Sequence, residues 1–209
     1  MRKLDKSDAP PILSEHEAEW TTVYLRADKK GSPWARPEIK RALIEETSGK
    51  CAYCEGTLLS VSFGDIEHIR PKSVFPELVV SWANLTLACS RCNSAKSSKY
   101  DPDLEWINPY VDDPADHIMF LGPFAYPLTD RGSYAIQELD LNNVHRVEAR
   151  NEAINTAALV VNQIESASTS YTREALRQVL RRIETSGPYS VAVTSYTSSG
   201  PIASRLQLT

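Results

Sequence analysis

Residues 51–99 read CAYCEGTLLSVSFGDIEHIRPKSVFPELVVSWANLTLACSRCNSAKSSK. This stretch begins with one Cys-x-x-Cys pair and contains a second near its end, and its four cysteines are Cys51, Cys54, Cys89 and Cys92. Zn²⁺ prefers a tetrahedron of thiolates, and one Cys-x-x-Cys turn lets two sulfurs bind the same ion. We therefore predict a four-cysteine structural zinc site that ties the two ends together and makes a knuckle of the residues between them.

Two other interpretations of the cysteines are open. Four reduced cysteines can be buried in a core, and a Cys-x-x-Cys pair can serve redox chemistry, although redox sites use one pair rather than two. A secreted disulfide protein would scatter its cysteines and carry an export signal. Residues 1–13 lack the apolar segment of a signal peptide. We therefore expect a protein of the reducing cytoplasm.

The overall composition is that of a globular protein. The chain has 209 residues, of which 42% are hydrophobic and 24% charged. No apolar run approaches the roughly 20 residues of a membrane span, so we expect no membrane association. The net charge of −4 argues against a protein that coats nucleic acid with its whole surface. Residues 50–99 nevertheless carry six basic and four acidic residues, so a positive patch is expected there.

The flanking sequence predicts a mostly helical frame. Ser14 and Glu17 form a capping box that predicts a helix to about Arg26, and Pro37 begins a second helix that stops at Gly49. Apolar periodicity predicts two long helices, over residues 142–166 and 172–184. Within the knuckle, we expect a hairpin of residues 57–62 and 65–69 and a short helix in residues 85–99. Two short strands are expected around Gly122 and Gly132, and residues 187–209 have no assignment.

Three ordered motifs lie inside the knuckle: Asp-Ile-Glu-His at 65–68, Trp-Ala-Asn-Leu at 82–85, and Cys-Asn-Ser-Ala-Lys at 92–96. Together with the cysteine pairs they resemble the motif of the HNH endonucleases, over residues 51–99. The resemblance implies a zinc-stabilised ββα-metal core. We therefore predict an α+β fold in which this core is embedded in a mostly helical single domain.

The resemblance also implies roles for individual residues. His68 would be the general base that activates water against a DNA phosphodiester, a task that suits an imidazole with a pKa near ~6.5. Glu67 and Asn93 would hold one divalent cation, either Mg²⁺ or a similar ion, because it accepts hard oxygen ligands. Asn84 would pin the loop and orient His68. The candidates for contact with nucleic-acid phosphates are Arg70, Lys72 and Lys96.

This sequence departs from many HNH proteins in having Glu-His where they have Asp-His. Glutamate is one methylene longer, so Asp65 is a further candidate ligand for the cation. Taken singly, His68 also fits a buried core histidine and Asn84 a turn residue. A catalytically silent zinc knuckle that binds nucleic acid or protein is therefore one alternative function. A stand-alone restriction or homing-type nuclease is another.

A narrower resemblance extends beyond the knuckle. The opening residues 1–11, Cys-Ala-Tyr-Cys-Glu at 51–55, residues 100–109, and Leu-Asp-Leu-Asn at 139–142 are similar to the HNH nuclease subunit of Septu-type and retron-associated anti-phage systems. That family implies an ATPase partner of the ABC/SMC kind. We therefore divide the chain into an N-terminal arm with helices (1–50), the nuclease core (51–100), and a loop-rich then helical part packing on the core (101–209).

Overall fold

A computed structural model describes residues 1–58 and 64–207. The chain forms two compact units, the first made of Met1–Ala115 with Glu138–Asp140 and the second of Asp116–Gln137 with the residues from Leu141 onward. The chain is mostly helical and contains two separate antiparallel strand pairs, which confirms the predicted α+β class. The prediction that residues 101–209 pack on the core stays a prediction. In the described residues, no helix has both the length and the apolar character needed to cross a bilayer.

The first unit begins with an extended arm and two helices, α1 (Pro11–Arg26) and α2 (Pro37–Thr47). The predicted start of α1 at Ser14 is wrong, because Pro11 already occupies the first turn, where its missing N–H and fixed φ fit a helix. Helix α2 begins at Pro37 as predicted. It ends at Ser48 and Gly49, which both adopt positive φ, at 53° and 67°.

The centre of the first unit is a ββα arrangement. Strand β1 (Asp65–His68) pairs antiparallel with β2 (Leu85–Ala88), with Asp65 opposite Ala88. Helix α3 (Ser90–Lys96) follows directly. The prediction that β1 forms a hairpin with residues 57–62 is wrong, because β1 pairs with the fully buried β2. Residues 59–63, which include most of the predicted partner, lie outside the described residues. The short helix predicted near the second cysteine pair is confirmed.

The second unit starts with a hairpin of β3 (Ile118–Leu121) and β4 (Phe124–Pro127), which turns at Gly122 as predicted. The strand expected around Gly132 is wrong, because Gly132 lies in helix α4 (Asp130–Glu138). A Cβ there would meet the His117 carbonyl at 2.0 Å, so the position requires glycine. The two predicted long helices are present, as α5 (Val144–Ser166) and α6 (Ser170–Ser186). Helices α7 (Ser190–Thr197) and α8 (Gly200–Gln207) occupy the tail that the sequence left unassigned.

Packing of the first unit brings its N-terminal helices to the ββα core. Helix α2 packs on β2, and α1 packs on the short turn Pro76–Leu78 in the connection between the strands. Ile39 and Leu43 of α2 and Leu85 and Leu87 of β2 are completely buried. Burying such side chains contributes about 1.5–3 kcal/mol each. The helices outside the knuckle are therefore part of the core that holds β1 in place.

Candidate active site and metal centre

The four cysteines converge on one point. Their Sγ atoms all lie within 4.8 Å of one another, and those of Cys54 and Cys89 are 3.9 Å apart. A tetrahedron with metal–sulfur bonds of about 2.3 Å places its sulfurs about 3.8 Å apart. Cys89 also caps α3, where its Sγ accepts a hydrogen bond of 3.4 Å from the Cys92 N–H. The donor chemistry and the spacing therefore fit a four-thiolate metal site.

His68 lies at the end of β1 with only 3% of its surface exposed. Its Nε2 is 2.8 Å from the carbonyl oxygen of Val79. Because a carbonyl oxygen can only accept, Nε2 carries the hydrogen and Nδ1 carries the lone pair. Burial lowers the pKa of His68 to about 4, so the ring is neutral at neutral pH. The Trp34 ring packs edge-on against it at 4.8 Å. His68 is thus a fixed, neutral imidazole with a defined tautomer.

Three oxygen-bearing side chains, those of Asp65, Glu67 and Asn93, line one of the cavities that His68 also lines. Asp65 and Glu67 point to the same side of β1 because side chains alternate along a strand. Asn93 of α3 donates through Nδ2 to Asp65 Oδ2 at 3.0 Å, which leaves Oδ1 as its ligand atom. Carboxylate and amide oxygens are the ligands that Mg²⁺ prefers. The chemistry of these donors fits a divalent cation, and the hydrogen bond to Asn93 keeps Asp65 a candidate ligand beside Glu67 and Asn93.

Lys96 is fully buried. Its Nζ lies 2.8 Å from Glu67 Oε1 and donates to the His68 carbonyl oxygen at 2.8 Å. Loss of water raises the pKa of Glu67 and lowers the pKa of Lys96, while their mutual attraction opposes both shifts. Lys96 therefore ties α3 to β1 from inside the unit. This location corrects the predicted phosphate contact, because the buried Nζ already has two protein partners, and we assign Lys96 a positioning role.

Asn84 holds the backbone that leaves β1. Its Oδ1 accepts from the Arg70 N–H at 2.8 Å, and its Nδ2 donates to the Arg70 carbonyl oxygen at 3.0 Å. The Asn84 carbonyl in turn accepts from the Ile69 N–H at 2.9 Å. The side chain is buried and lines neither cavity at the site. These contacts fit the loop-pinning role that the sequence predicts.

Two cavities meet at the candidate site, with volumes of about 490 and 590 Å³. Both are lined by Glu67, His68, Lys72 and Asn93. Arg70 lines neither of them, since it is 46% exposed and pairs with Glu105 at 2.5 Å. Of the predicted phosphate-binding residues, Lys72 therefore lines the same cavities as His68, and Arg70 lines neither.

Comparison with known proteins supports this description. Residues 51–99 match the family model of the HNH endonucleases, and the match includes the cysteine cluster, both strands and α3.

Residues 51–99 form an HNH endonuclease domain. The chain is also 35% identical to the Septu protein PtuB of Bacillus thuringiensis over 148 residues, which cover 70% of this chain and 57% of the relative. It is 26% identical to the Septu protein PtuB of Bacillus mycoides (strain KBAB4) over 186 residues, which cover 74% and 63%. The matches span less than two thirds of either relative. The HNH domain supports nuclease activity in general terms.

Several residues around the HNH motif were not found from the sequence. Trp34 and the Val79 carbonyl fix the ring of His68, and Lys29, Arg36 and Lys40 line the two cavities. A backbone carbonyl leaves no signal in side-chain identity. The three cations did leave a signal in the sequence, because residues 26–41 contain six basic and two acidic residues. Only the structure shows that these cations lie at the same cavities as the HNH residues.

Replacing Lys96 with methionine is expected to destabilise the protein by about 3–5 kcal/mol, because Glu67 would be left buried and unpaired. Urea unfolding monitored by tryptophan fluorescence measures this change. Lys99→Met is the matched control, since it breaks a 2.6 Å ion pair with Glu138 whose lysine is 49% exposed. It should cost less than about 1 kcal/mol. Equal effects of the two substitutions would contradict the role of the buried pair.

Replacing Asn84 with alanine should cost about 1–3 kcal/mol, because the Arg70 N–H and carbonyl lose their partner. It should also slow any cleavage by about 10-fold or more, since the loop after His68 is no longer held. Asn84→Asp is the control, because it keeps the acceptor for the Arg70 N–H and loses the donor to its carbonyl. An intermediate effect is expected in thermal unfolding and in the cleavage rate. If alanine and wild type cleave alike, Asn84 has no positioning role.

Proposed function

We propose that this chain is a metal-dependent endonuclease that hydrolyses DNA, acting as the nuclease of an anti-phage defence complex. The observation that carries the proposal is the state of His68. Its ring is neutral, and Nε2 is committed to the Val79 carbonyl, so Nδ1 has the lone pair. The ring lines both cavities together with the oxygen donors of Glu67 and Asn93. A neutral imidazole, oxygen donors suited to a cation and two cavities therefore occur together, and this combination supports the proposal.

In this proposal, His68 Nδ1 takes a proton from the water that attacks the phosphodiester. With a pKa of about 4, the buried imidazole of His68 is a weak base before substrate binds. A phosphate bound beside the ring favours its protonated form and so raises that pKa. Glu67, Asn93 and Asp65 would hold the divalent cation, which supplies positive charge to the phosphate oxygens when bound. Lys72 contacts the phosphate, and Asn84 and Lys96 keep His68 in position.

We assign the four-cysteine site to zinc in a structural role. The tetrahedron of sulfurs is closed, so the site has no position for a substrate. It joins the turn before β1 to the start of α3, the helix that carries Asn93 and Lys96. Convergence of the cysteines on one site also supports a reducing cytoplasmic location.

The ATPase partner is part of the proposal, and the resemblance to Septu-type systems supports it. With a net charge of −4 and a localised positive site, the nuclease would gain from a partner that delivers DNA to it. Purification from the native gene cassette tests this part. Co-elution of an ATPase supports the defence complex, and a chain that elutes alone and cleaves at full rate supports a stand-alone nuclease.

The experiment that tests the nuclease activity compares supercoiled plasmid with a structured RNA of similar length, each incubated with the purified chain and Mg²⁺. We expect nicked and linear plasmid, with EDTA abolishing the reaction. Cleavage of RNA alone would overturn the choice of substrate. If neither is cleaved with or without the ATPase, a silent binding module is the better description.

A further inference from the structure

The charges that line the two cavities are unevenly distributed. Apart from the carboxylates of Asp65 and Glu67, every charged residue lining them is a cation, and these are Lys29, Arg36, Lys40 and Lys72. Only Lys72 belongs to the HNH domain. The other three come from the connection between α1 and α2 and from the first turns of α2. A separate segment therefore brings positive charge to the site.

These three cations are not neutralised by the protein. In the part of the chain that the structure describes, Lys29, Arg36 and Lys40 have no carboxylate within 4.0 Å of their nitrogens. Arg36 packs over the Trp20 ring at 4.7 Å, which orients the guanidinium without cancelling its charge. Cations that remain unpaired in a chain of net charge −4 create a local positive field. Such a field is suited to a polyanion.

The cations are divided between the two cavities that share His68. Lys29 lines the cavity of about 490 Å³, where the hydroxyls of Ser73, Ser94, Ser97 and Ser98 are further donors. Arg36 and Lys40 line the other cavity, of about 590 Å³. His68 lines both. A strand that occupied both cavities would thus meet cations in each of them, with His68 common to both.

We propose that residues 27–40 are a second substrate-binding element, which holds the phosphates of a nucleic-acid strand on both sides of the scissile bond. Lys29 binds the backbone on one side, and Arg36 and Lys40 bind it on the other. The inference rests on the proposed nuclease function and extends it to residues outside the HNH domain. Contacts to phosphates carry no base information, so this element gives affinity with little sequence preference.

The test uses the His68→Ala background, so that DNA is bound without being cut. Binding of a fluorescein-labelled 30-base-pair duplex is followed by anisotropy over a series of salt concentrations. The triple substitution Lys29→Ala, Arg36→Ala, Lys40→Ala should weaken binding by at least about tenfold at low salt. The slope of log K against log salt should fall by about 3, since each lost phosphate contact contributes roughly 0.9.

A matched triple substitution in α6, Arg177→Ala, Arg181→Ala, Arg182→Ala, removes the same charge from residues that line neither cavity. It should leave affinity within about threefold and the salt slope unchanged. Equal effects of the two triple variants would overturn the inference, because net charge alone would then explain binding. If otherwise wild-type protein cleaves plasmid and the Lys29, Arg36, Lys40 variant binds and cleaves equally well, the second element is wrong while the nuclease proposal stands. If the wild-type protein does not cleave plasmid and the His68→Ala variant does not bind the duplex, both the nuclease proposal and the second substrate-binding element are wrong.

The two-sided arrangement has its own test. An oligonucleotide cut at a mapped position is prepared with single uncharged methylphosphonate linkages at successive positions around the cut. We expect two groups of sensitive positions, one on each side. Lys29→Ala should abolish the sensitivity of one group, and the Arg36→Ala, Lys40→Ala variant that of the other. A single group on one side of the cut would contradict the proposal.

Discussion

Replacing His68 with alanine is expected to reduce the rate of DNA cleavage by about 10²–10⁴-fold, the usual contribution of a positioned general base. The variant should keep its bound zinc, because His68 is not a member of the cysteine cluster. The rate of cleavage is measured on supercoiled plasmid with Mg²⁺, and the zinc content is measured on the same protein sample. Loss of cleavage with zinc retained supports catalysis by His68, whereas cleavage at the wild-type rate would show that the base lies elsewhere.

His68 is buried, so alanine also leaves a cavity, and a second variant separates chemistry from folding. His68→Gln fills most of the volume and can still donate to the Val79 carbonyl, yet it has no ring nitrogen to accept a proton. It should unfold near the wild-type temperature and be as inactive as the alanine variant. His145→Ala is the matched histidine control, because that side chain is 65% exposed and lies in the other unit. It should cleave at the wild-type rate.

Replacing Cys51 with serine is expected to release about one zinc ion per chain and to unfold residues 51–92. Apparent binding energies of structural zinc are about 10–16 kcal/mol in small zinc domains, which equals or exceeds the ~5–15 kcal/mol stability of an ordinary domain. Mass spectrometry under native conditions counts the metal, and thermal unfolding reports the loss of structure. A variant that keeps its metal and its midpoint would show that the four-cysteine assignment is wrong.

Ser90→Ala is the control for the cysteine substitution, because Ser90 is exposed and lies between Cys89 and Cys92. It should retain one zinc and unfold within about 2 °C of wild type. Chelation provides an independent measurement on the unaltered chain. Removal of zinc by a strong chelator should lower the midpoint as the Cys51 substitution does, and addition of zinc should restore it.

The features that the sequence predicts well are local. A Cys-x-x-Cys pair, a proline at the start of α2 and the apolar periodicity of α5 each depend on residues a few positions apart. The partner of β1 was missed because β1 and β2 are separated by 16 residues, and a nearer apolar run satisfied the same pattern. In the sequence, Gly132 fits a glycine at the end of a strand. In the structure it lies in α4, and a glycine is needed there because the His117 carbonyl approaches too closely for a Cβ.

The burial of Lys96 and the position of the α1–α2 connection could not be predicted from local sequence, because both depend on tertiary packing. A lysine near a catalytic motif is expected on the surface, because an unpaired ammonium is costly to bury. Lys96 is buried only because Glu67 and the His68 carbonyl meet it, and that pairing depends on the packing of α3 against β1. Lys29 and Arg36 are ordinary surface cations in the sequence. Only the packing of α1 and α2 on the core brings them to the cavities.

The hydrogen bond from His68 to Val79 has a consequence for how this site can change. A histidine oriented by a carboxylate loses its orientation when one codon changes. Here the acceptor is a main-chain carbonyl, which every residue type at position 79 would supply. The acceptor is therefore kept by any substitution at position 79 that leaves the main chain in place. Inactivating variants selected at random should consequently cluster at His68 itself, at the oxygen donors proposed for the cation and in the packing of the Pro76–Leu78 turn. At the buried Val79, only substitutions that change the side-chain volume or polarity, or that introduce proline, should inactivate.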